Sequence, residues 1–226
     1  RIRRENTDRS ITTNSWHYYE GSAHLRDFVL LTGNSNPSLC NQVARYLGIQ
    51  RAPAKVATYI DGECAVEIKA NTSGKHVVII QSTSPPCNDN LIELLLMVSA
   101  VRRDNAKHVT LVIPYFGYGR QDSPRNRSDD DVMSSVESFS PISAADVALM
   151  ISQSGVDRVL TLDLHSPQIS GFFPPTVAHD SLRCGGIAAY YLTEKYKFKD
   201  GLVVVRPGKC CLSCYVLAIV VLCFSC

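Results

Sequence analysis

The fold is decided between His76 and Ile113, where the chain reads His76-Val-Val-Ile-Ile80, a polar link from Gln81 to Asn88, an apolar stretch over residues 90–103, and Val109-Thr-Leu-Val-Ile113. The first and last pieces are near-continuous runs rich in β-branched residues, as strands buried on both faces of a sheet tend to be. Between them, Leu91, Ile92, Leu94, Leu95, Leu96, Val98 and Val101 make residues 90–103 apolar nearly all round, which predicts a helix buried on more than one side. Asn88 and Asp89 stand where the cap of that helix is expected. Strand, helix and strand at this spacing form the unit of a parallel sheet.

The same alternation extends outward. Phe28-Val-Leu-Leu31 reads as a strand, and Gly33-Asn-Ser-Asn-Pro37 turns into a helix ending near Leu47-Gly48, with Pro37 suited to its first turn. Residues 55–59 and 65–68 are two short strands around Asp61-Gly62, a turn pair that predicts a hairpin. Beyond Ile113, Ser143-Ala-Ala-Asp146 has the pattern of a capping box opening a helix that Gly155 closes. A strand over 158–162, a helix over 182–196 and a strand over 202–205 complete the reading. The expected fold is α/β, a parallel or mixed sheet flanked by helices on both faces. Residues 1–26 form a polar, Arg-rich extension and 27–181 the main domain, interrupted by a flexible polar excursion at 123–140 that holds three consecutive Asp and six Ser.

Composition narrows the function classes. At 226 residues, 45% hydrophobic and 19% charged, the chain can bury a full core, and 23 Lys+Arg against 21 Asp+Glu leave a net charge of +2. That surplus is too small to draw a whole domain onto nucleic acid or an anionic membrane, so anion recognition has to be local. Five of the nine cysteines fall in residues 210–226 and the rest are scattered singly, which reads as a reduced, cytoplasmic body rather than a disulfide framework. The tail at 210–226 is almost wholly apolar but shorter than the roughly 20 residues a spanning helix needs, so a membrane partner is not expected. Its Cys-x-x-Cys pairs lack polar neighbours of the kind that orient metal ligands.

In an α/β sheet, sites lie beyond the carboxyl ends of the strands. This directs attention to residues 81–88, 114–122 and 163–180. Asp163-Leu-His165 leaves an apolar strand with a carboxylate and an imidazole two residues apart, able to face one ion or phosphate; from spacing alone the plainer reading, a loop cap and a structural hydrogen bond, weighs somewhat more. Pro114-Tyr-Phe-Gly-Tyr-Gly-Arg120-Gln121-Asp122 places glycines among aromatics, which lets backbone approach a ligand closely, beside a guanidinium suited to phosphate. The alternative there is a surface loop in which Arg120 pairs with Asp122. Tyr59-Ile-Asp61-Gly-Glu63 puts a ring and two carboxylates on the hairpin tip, as a purine-binding edge or as a solvated turn. Neither a P-loop nor a completed G-x-G-x-x-G is present.

Together these segments resemble the ribose-phosphate diphosphokinases, also called phosphoribosyl pyrophosphate synthetases, over about residues 28–205. The strongest words are Asn88-Asp-Asn-Leu-Ile-Glu-Leu-Leu-Leu96, Pro114-Tyr-Phe-Gly-Tyr118 with Arg120-Gln-Asp122, Pro141-Ile-Ser-Ala144, and Asp163-Leu-His165 with Gly171-Phe-Phe173. The resemblance implies a phosphoribosyltransferase-like (Rossmann-like) domain followed by a second, similar one. It also implies transfer of the diphosphoryl group of ATP to ribose 5-phosphate, with Mg²⁺ as cofactor, in a homo-oligomer, a hexamer built from dimers. It gives Tyr59, Asp61 and Glu63 the adenine of a neighbour's ATP, Arg120 and Gln121 the ATP itself, and His165 a place beside the triphosphate and its metal. Asp163 and Asp180 are implied as supporting metal carboxylates.

Several departures bear on activity. Ser140 stands where the family usually has Arg, and the excursion at 123–140 replaces a short basic link. After the strand at 202–205 the chain reads Arg206-Pro-Gly-Lys209 instead of Ser-Pro-Asp-Ala-Gly-Gly, then turns into the Cys-rich tail. Residues 182–209 are therefore expected to be the start of a truncated second domain, and the chain alone is expected not to turn over. A non-catalytic associated or regulatory subunit is the alternative reading.

Overall fold

A computed structural model of the protein describes residues 27–124 and 140–191. Five parallel strands form one sheet: β1 (Phe28–Thr32), β4 (His76–Ile80), β5 (His108–Ile113), β6 (Arg158–Leu162) and β7 (Ala178–Leu182), in the spatial order β1-β4-β5-β6-β7. Between β1 and β4 in the chain come helix α1 (Pro37–Leu47) and an antiparallel hairpin of β2 (Ala54–Thr58) and β3 (Cys64–Ile68), which forms a separate two-stranded sheet. Helix α2 (Cys87–Arg103) connects β4 to β5, α3 (Ser143–Gln153) precedes β6, and α4 (Gly185–Tyr190) follows β7.

The strand alternation assigns the two faces. Val29, Leu31, Val77, Ile79, Val109, Leu111, Ile113 and Val159 point to one side, into a core completed by Leu94, Met97, Val98 and Val101 of α2 and by Val147, Ala148 and Ile151 of α3. Leu30 and Ile80 point to the other, where Cys40 and Ala44 of α1 cover them. Burying each of the large apolar side chains contributes about 1.5–3 kcal/mol, so the α2 face carries most of the packing. The hairpin docks on α2 through Val56, Val66 and Ile68, partly buried against the same core.

The strands expected before residue 163, helix α1 and the hairpin are observed. Asn36 caps α1 by accepting from Leu39 N at 3.0 Å, and Gly48 closes it at φ 64°. Other details differ. Helix α2 starts at Cys87, so Asn88 lies inside it and accepts from the Tyr118 hydroxyl instead of capping. Ile92 and Leu96 are more than a third exposed, so α2 has a solvent-facing apolar edge. Ser143 is already helical and donates its hydroxyl to Gln121 Oε1 at 2.7 Å, so the capping box does not form. The loop expected over 163–180 contains a 3₁₀ turn (Pro167–Phe172) and then β7, which runs through Leu182, and the helix expected from residue 182 begins at Gly185. The strand at 202–205, the excursion at 125–139, the Arg-rich extension and the Cys-rich tail lie outside the described residues. No helix among the described residues is long and apolar enough to cross a membrane.

Candidate active site

Three loops leave the carboxyl ends of β4, β5 and β6, and specific contacts lock them together. Thr83, after β4, donates its N–H at 2.9 Å and its hydroxyl at 3.0 Å to the carbonyl of Tyr115, and its Oγ1 accepts the Gly117 N–H at 2.7 Å. Gly117 is packed so closely that an added Cβ would sit 2.6 Å from the Thr83 carbonyl oxygen, with Cys87 Sγ closer still. Only glycine fits there. Gly117→Ala is expected to cost about 2 kcal/mol of unfolding free energy, as overpacking against backbone does. A denaturant midpoint equal to the parent's would show that the two loops part easily.

The next contact joins the loop after β5 to the loop after β6. A Cβ on Gly119 would lie 3.4 Å from His165 Cβ and 3.6 Å from Ile169 Cδ1, so the glycine that precedes Arg120 rests on the base of the His165 side chain. Gln168 Nε2 donates to the Asp122 carbonyl at 3.1 Å, and Gln121 takes the Ser143 hydroxyl on its side chain and the Ala144 N–H at 3.0 Å on its carbonyl. Arg120 is thereby held at an exposed position next to half-buried His165, on a backbone fixed from both sides.

Asp163 occupies the left-handed region at φ 42°, uncommon for a non-glycine residue. Its N–H donates to the Leu182 carbonyl at 2.9 Å, and its exposed carboxylate accepts the Cys184 N–H at 3.1 Å. The carboxylate thus stands between the ends of β6 and β7, at a cavity of about 100 Å³ that Ser170, Ser181 and Arg183 also line. Arg183, a second guanidinium beside Asp163, was not legible as a site residue because β7 itself was not legible. Burial and the adjoining Asp163 carboxylate push the Cys184 thiol above its ordinary range, which disfavours a thiolate beside the aspartate.

Two groups of expected site residues lie elsewhere. Asp180 sits at mid-strand in β7, opposite Leu160, and its carboxylate is paired with the Arg158 guanidinium at 2.9 Å, toward the opposite end of the sheet from Asp163 and His165. The structure does not bring it to the loop cluster. Tyr59, Asp61 and Glu63 cap the hairpin as anticipated: Tyr59 N donates to the Glu63 carbonyl at 2.8 Å, Glu63 N donates to Asp61 Oδ1 at 3.1 Å, and Gly62 turns at φ 93°. Among the described residues their hydrogen bonds stay within this turn, and Tyr59 is 62% exposed.

Sequence reading also missed a buried polar node under the β1–α1 loop. Glu93 of α2, 5% exposed, accepts from Asn34 N, from Asn34 Nδ2 at 3.1 Å and from Gln81 Nε2 at 3.0 Å, while Gln81 Oε1 accepts from the Ser35 hydroxyl at 2.7 Å. Burial pushes the Glu93 carboxyl up, against the pull of these donors. A charged residue set inside the apolar run Leu91-Ile-Glu-Leu-Leu was the available signal.

Comparison with known proteins gives the family. Residues 28–155 match the family model described as the N-terminal domain of ribose phosphate pyrophosphokinase. The chain belongs to the ribose-phosphate pyrophosphokinase family. It is 48% identical over 178 residues to a ribose-phosphate pyrophosphokinase of Mesorhizobium japonicum, covering 79% of this chain and 53% of that protein. A Clostridium perfringens ribose-phosphate pyrophosphokinase is 40% identical over 184 residues, covering 81% and 54%. Among solved structures, phosphoribosylpyrophosphate synthetase from Mycobacterium smegmatis superposes with a TM-score of 0.66 at 32% identity, over 75% of this chain and 53% of that one. The chain therefore spans about half the length of the relatives it matches. The span shared with the pyrophosphokinase family model takes in the loops at 81–88 and 114–122, while Asp163 and His165 follow it.

Proposed function

We propose that this chain supplies the ATP-binding part of a ribose-phosphate diphosphokinase. In that reaction the 1-hydroxyl oxygen of ribose 5-phosphate bonds to the β-phosphorus of ATP, the bond from that phosphorus to the oxygen bridging it to the α-phosphorus breaks, and the hydroxyl proton is released. The products are 5-phosphoribosyl 1-diphosphate and AMP. The observation that supports the reading is the meeting of the loop after β5, which carries Arg120, with the loop after β6, which carries Asp163 and His165, through the Gln168–Asp122 hydrogen bond and the close approach of Gly119 to His165.

Transfer of this kind needs alignment of the attacking oxygen with phosphorus and neutralisation of charge on the transferring group. Arg120 supplies a guanidinium fork for the phosphates, and Gln121 fixes the loop that carries it. His165 stands beside the triphosphate as a donor. Magnesium binds through one or two carboxylates together with substrate phosphates and water. Asp163 fits that demand, being exposed and accepting from the Cys184 N–H, and Asp180 does not, because Arg158 holds it. Bound there, the ion would neutralise the phosphate oxygens.

The hairpin tip points its ring and carboxylates to solvent, which suits a role at a neighbouring subunit's ATP in a homo-oligomer. The test joins residues 27–191 to the second half of the Mesorhizobium relative and assays AMP formation dependent on ribose 5-phosphate and Mg²⁺. Dependent AMP formation is the expected result, and its absence in a folded protein would favour a non-catalytic subunit. Within that protein, Glu63→Ala mixed with His165→Ala should regain activity, because one intact neighbour pair remains in mixed oligomers. No recovery under conditions where subunits demonstrably exchange would place the hairpin at its own chain's site.

A further inference from the structure

The loop after β5 holds a residue in a backbone conformation that its side chain disfavours. In Gly117-Tyr118-Gly119 the left-handed residue is the tyrosine, at φ 62°, while neither neighbouring glycine has a positive φ. Glycine enters that region freely, whereas a bulky side chain there is strained and persists only when its surroundings hold it. The two glycines serve close contacts instead, Gly117 against Thr83 and Gly119 against His165.

What holds Tyr118 is its side chain. The hydroxyl donates to Asn88 Oδ1 in the first turn of α2, and the residue is partly buried against the main core. The Tyr118 carbonyl accepts the Gln121 N–H at 2.9 Å, which closes a four-residue turn with Arg120 in third place. The far end of that turn is fixed to α3, because Gln121 takes the Ala144 N–H on its carbonyl and the Ser143 hydroxyl on its side chain. The phenol fixes the near end to α2. Arg120 depends on this turn for its direction, since among the described residues its guanidinium makes neither a hydrogen bond nor an ion pair, with Asp122 or with any other group. A rotation at residue 118 therefore carries the guanidinium with it.

We propose that Tyr118 is a positioning residue for Arg120: its phenol, tied to Asn88, keeps residue 118 left-handed and so turns the Arg120 guanidinium toward the phosphates of ATP. The inference rests on the diphosphokinase reading and adds to it a side chain that acts through Arg120 without touching substrate. A guanidinium fork engages two phosphate oxygens only in one orientation, so the direction of its backbone matters as much as its charge.

The test is a double-variant cycle in the two-part protein described above, assayed for AMP formation dependent on ribose 5-phosphate and Mg²⁺. Tyr118→Phe removes the tether and keeps the ring, so kcat should fall about tenfold with the KM for ribose 5-phosphate unchanged, a smaller loss than the roughly 10²-fold that a fully misplaced contact can cost. Asn88→Ala, which removes the acceptor, should match it. In a protein already carrying Arg120→Ala, Tyr118→Phe should change kcat less than about twofold, because the group it directs is gone. Equal losses with and without Arg120 would mean that the phenol serves substrate or folding directly and would overturn the proposal, as would an unchanged kcat in Tyr118→Phe. Either result in an active parent overturns this inference alone, whereas an inactive, folded parent overturns the diphosphokinase reading and the inference together.

Discussion

Replacing Glu93 by alanine should lower the unfolding free energy of the described domain by about 4 kcal/mol, measured by denaturant titration. The substitution removes the acceptor shared by Asn34 N, Asn34 Nδ2 and Gln81 Nε2, and Gln81 is fully buried. A buried donor left without a partner costs about 1–3 kcal/mol, and the cavity adds to it. Glu93→Gln keeps one carbonyl acceptor but turns an amide toward a donor, so about half that loss is expected. The difference between the parent and Glu93→Gln also reports on protonation. Burial holds the folded carboxyl above its ordinary value of 4.5, so the folded state binds the proton more tightly than the unfolded one. The associated stability is complete below that ordinary value and is lost as pH rises from there through the raised folded value. The parent's advantage over Glu93→Gln should therefore be larger at about pH 4 than at about pH 8, since other titrating groups cancel in the difference. An advantage that grows with pH would mean that the carboxylate is stabilised, not penalised, by its surroundings.

What was legible followed from local chemistry. Continuous apolar runs such as His76–Ile80 can be strands of only one kind, Asn36 and Gly48 mark their helix ends, and Asp61-Gly62 dictates its turn. What was missed depended on distant partners. Strand β7 reads Ala-His-Asp-Ser-Leu, with no apolar alternation, because no further strand covers its outer edge among the described residues and its side chains are half or fully exposed. Its pairing with β6 supplies the order that its own sequence does not announce. Ser143 looks like a cap, yet Gln121, 22 residues earlier, takes its hydroxyl. The same distinction runs through the site. Arg120, Asp163 and His165 are readable because each sits at the exit of an apolar strand, where α/β sheets place ligands. The misplacement of Asp180 and the omission of Arg183 both trace to the unread β7, since neither side chain's direction can be assigned until the strand is.

In the two-part protein joined to the Mesorhizobium half, Arg120→Ala and His165→Ala should each reduce turnover by on the order of 10²-fold, as loss of one contact to transition-state charge does. The two residues sit on different loops, but Gly119 rests on His165, so they form one face of the site. Neither substitution touches Gly119 or the His165 Cβ, which alanine retains. For exposed Arg120 the loss should appear in turnover without a change in unfolding midpoint. Arg120→Lys separates charge from geometry. A lysine restores the positive charge but not the planar fork, so it should recover less than half of the lost activation free energy if two phosphate oxygens are engaged at once. Because the residues serve the same charge, the double variant should cost less than the product of the two single losses. Unchanged turnover in both single variants would remove these side chains from the reaction, and a multiplicative loss in the double variant would assign them to separate phosphates.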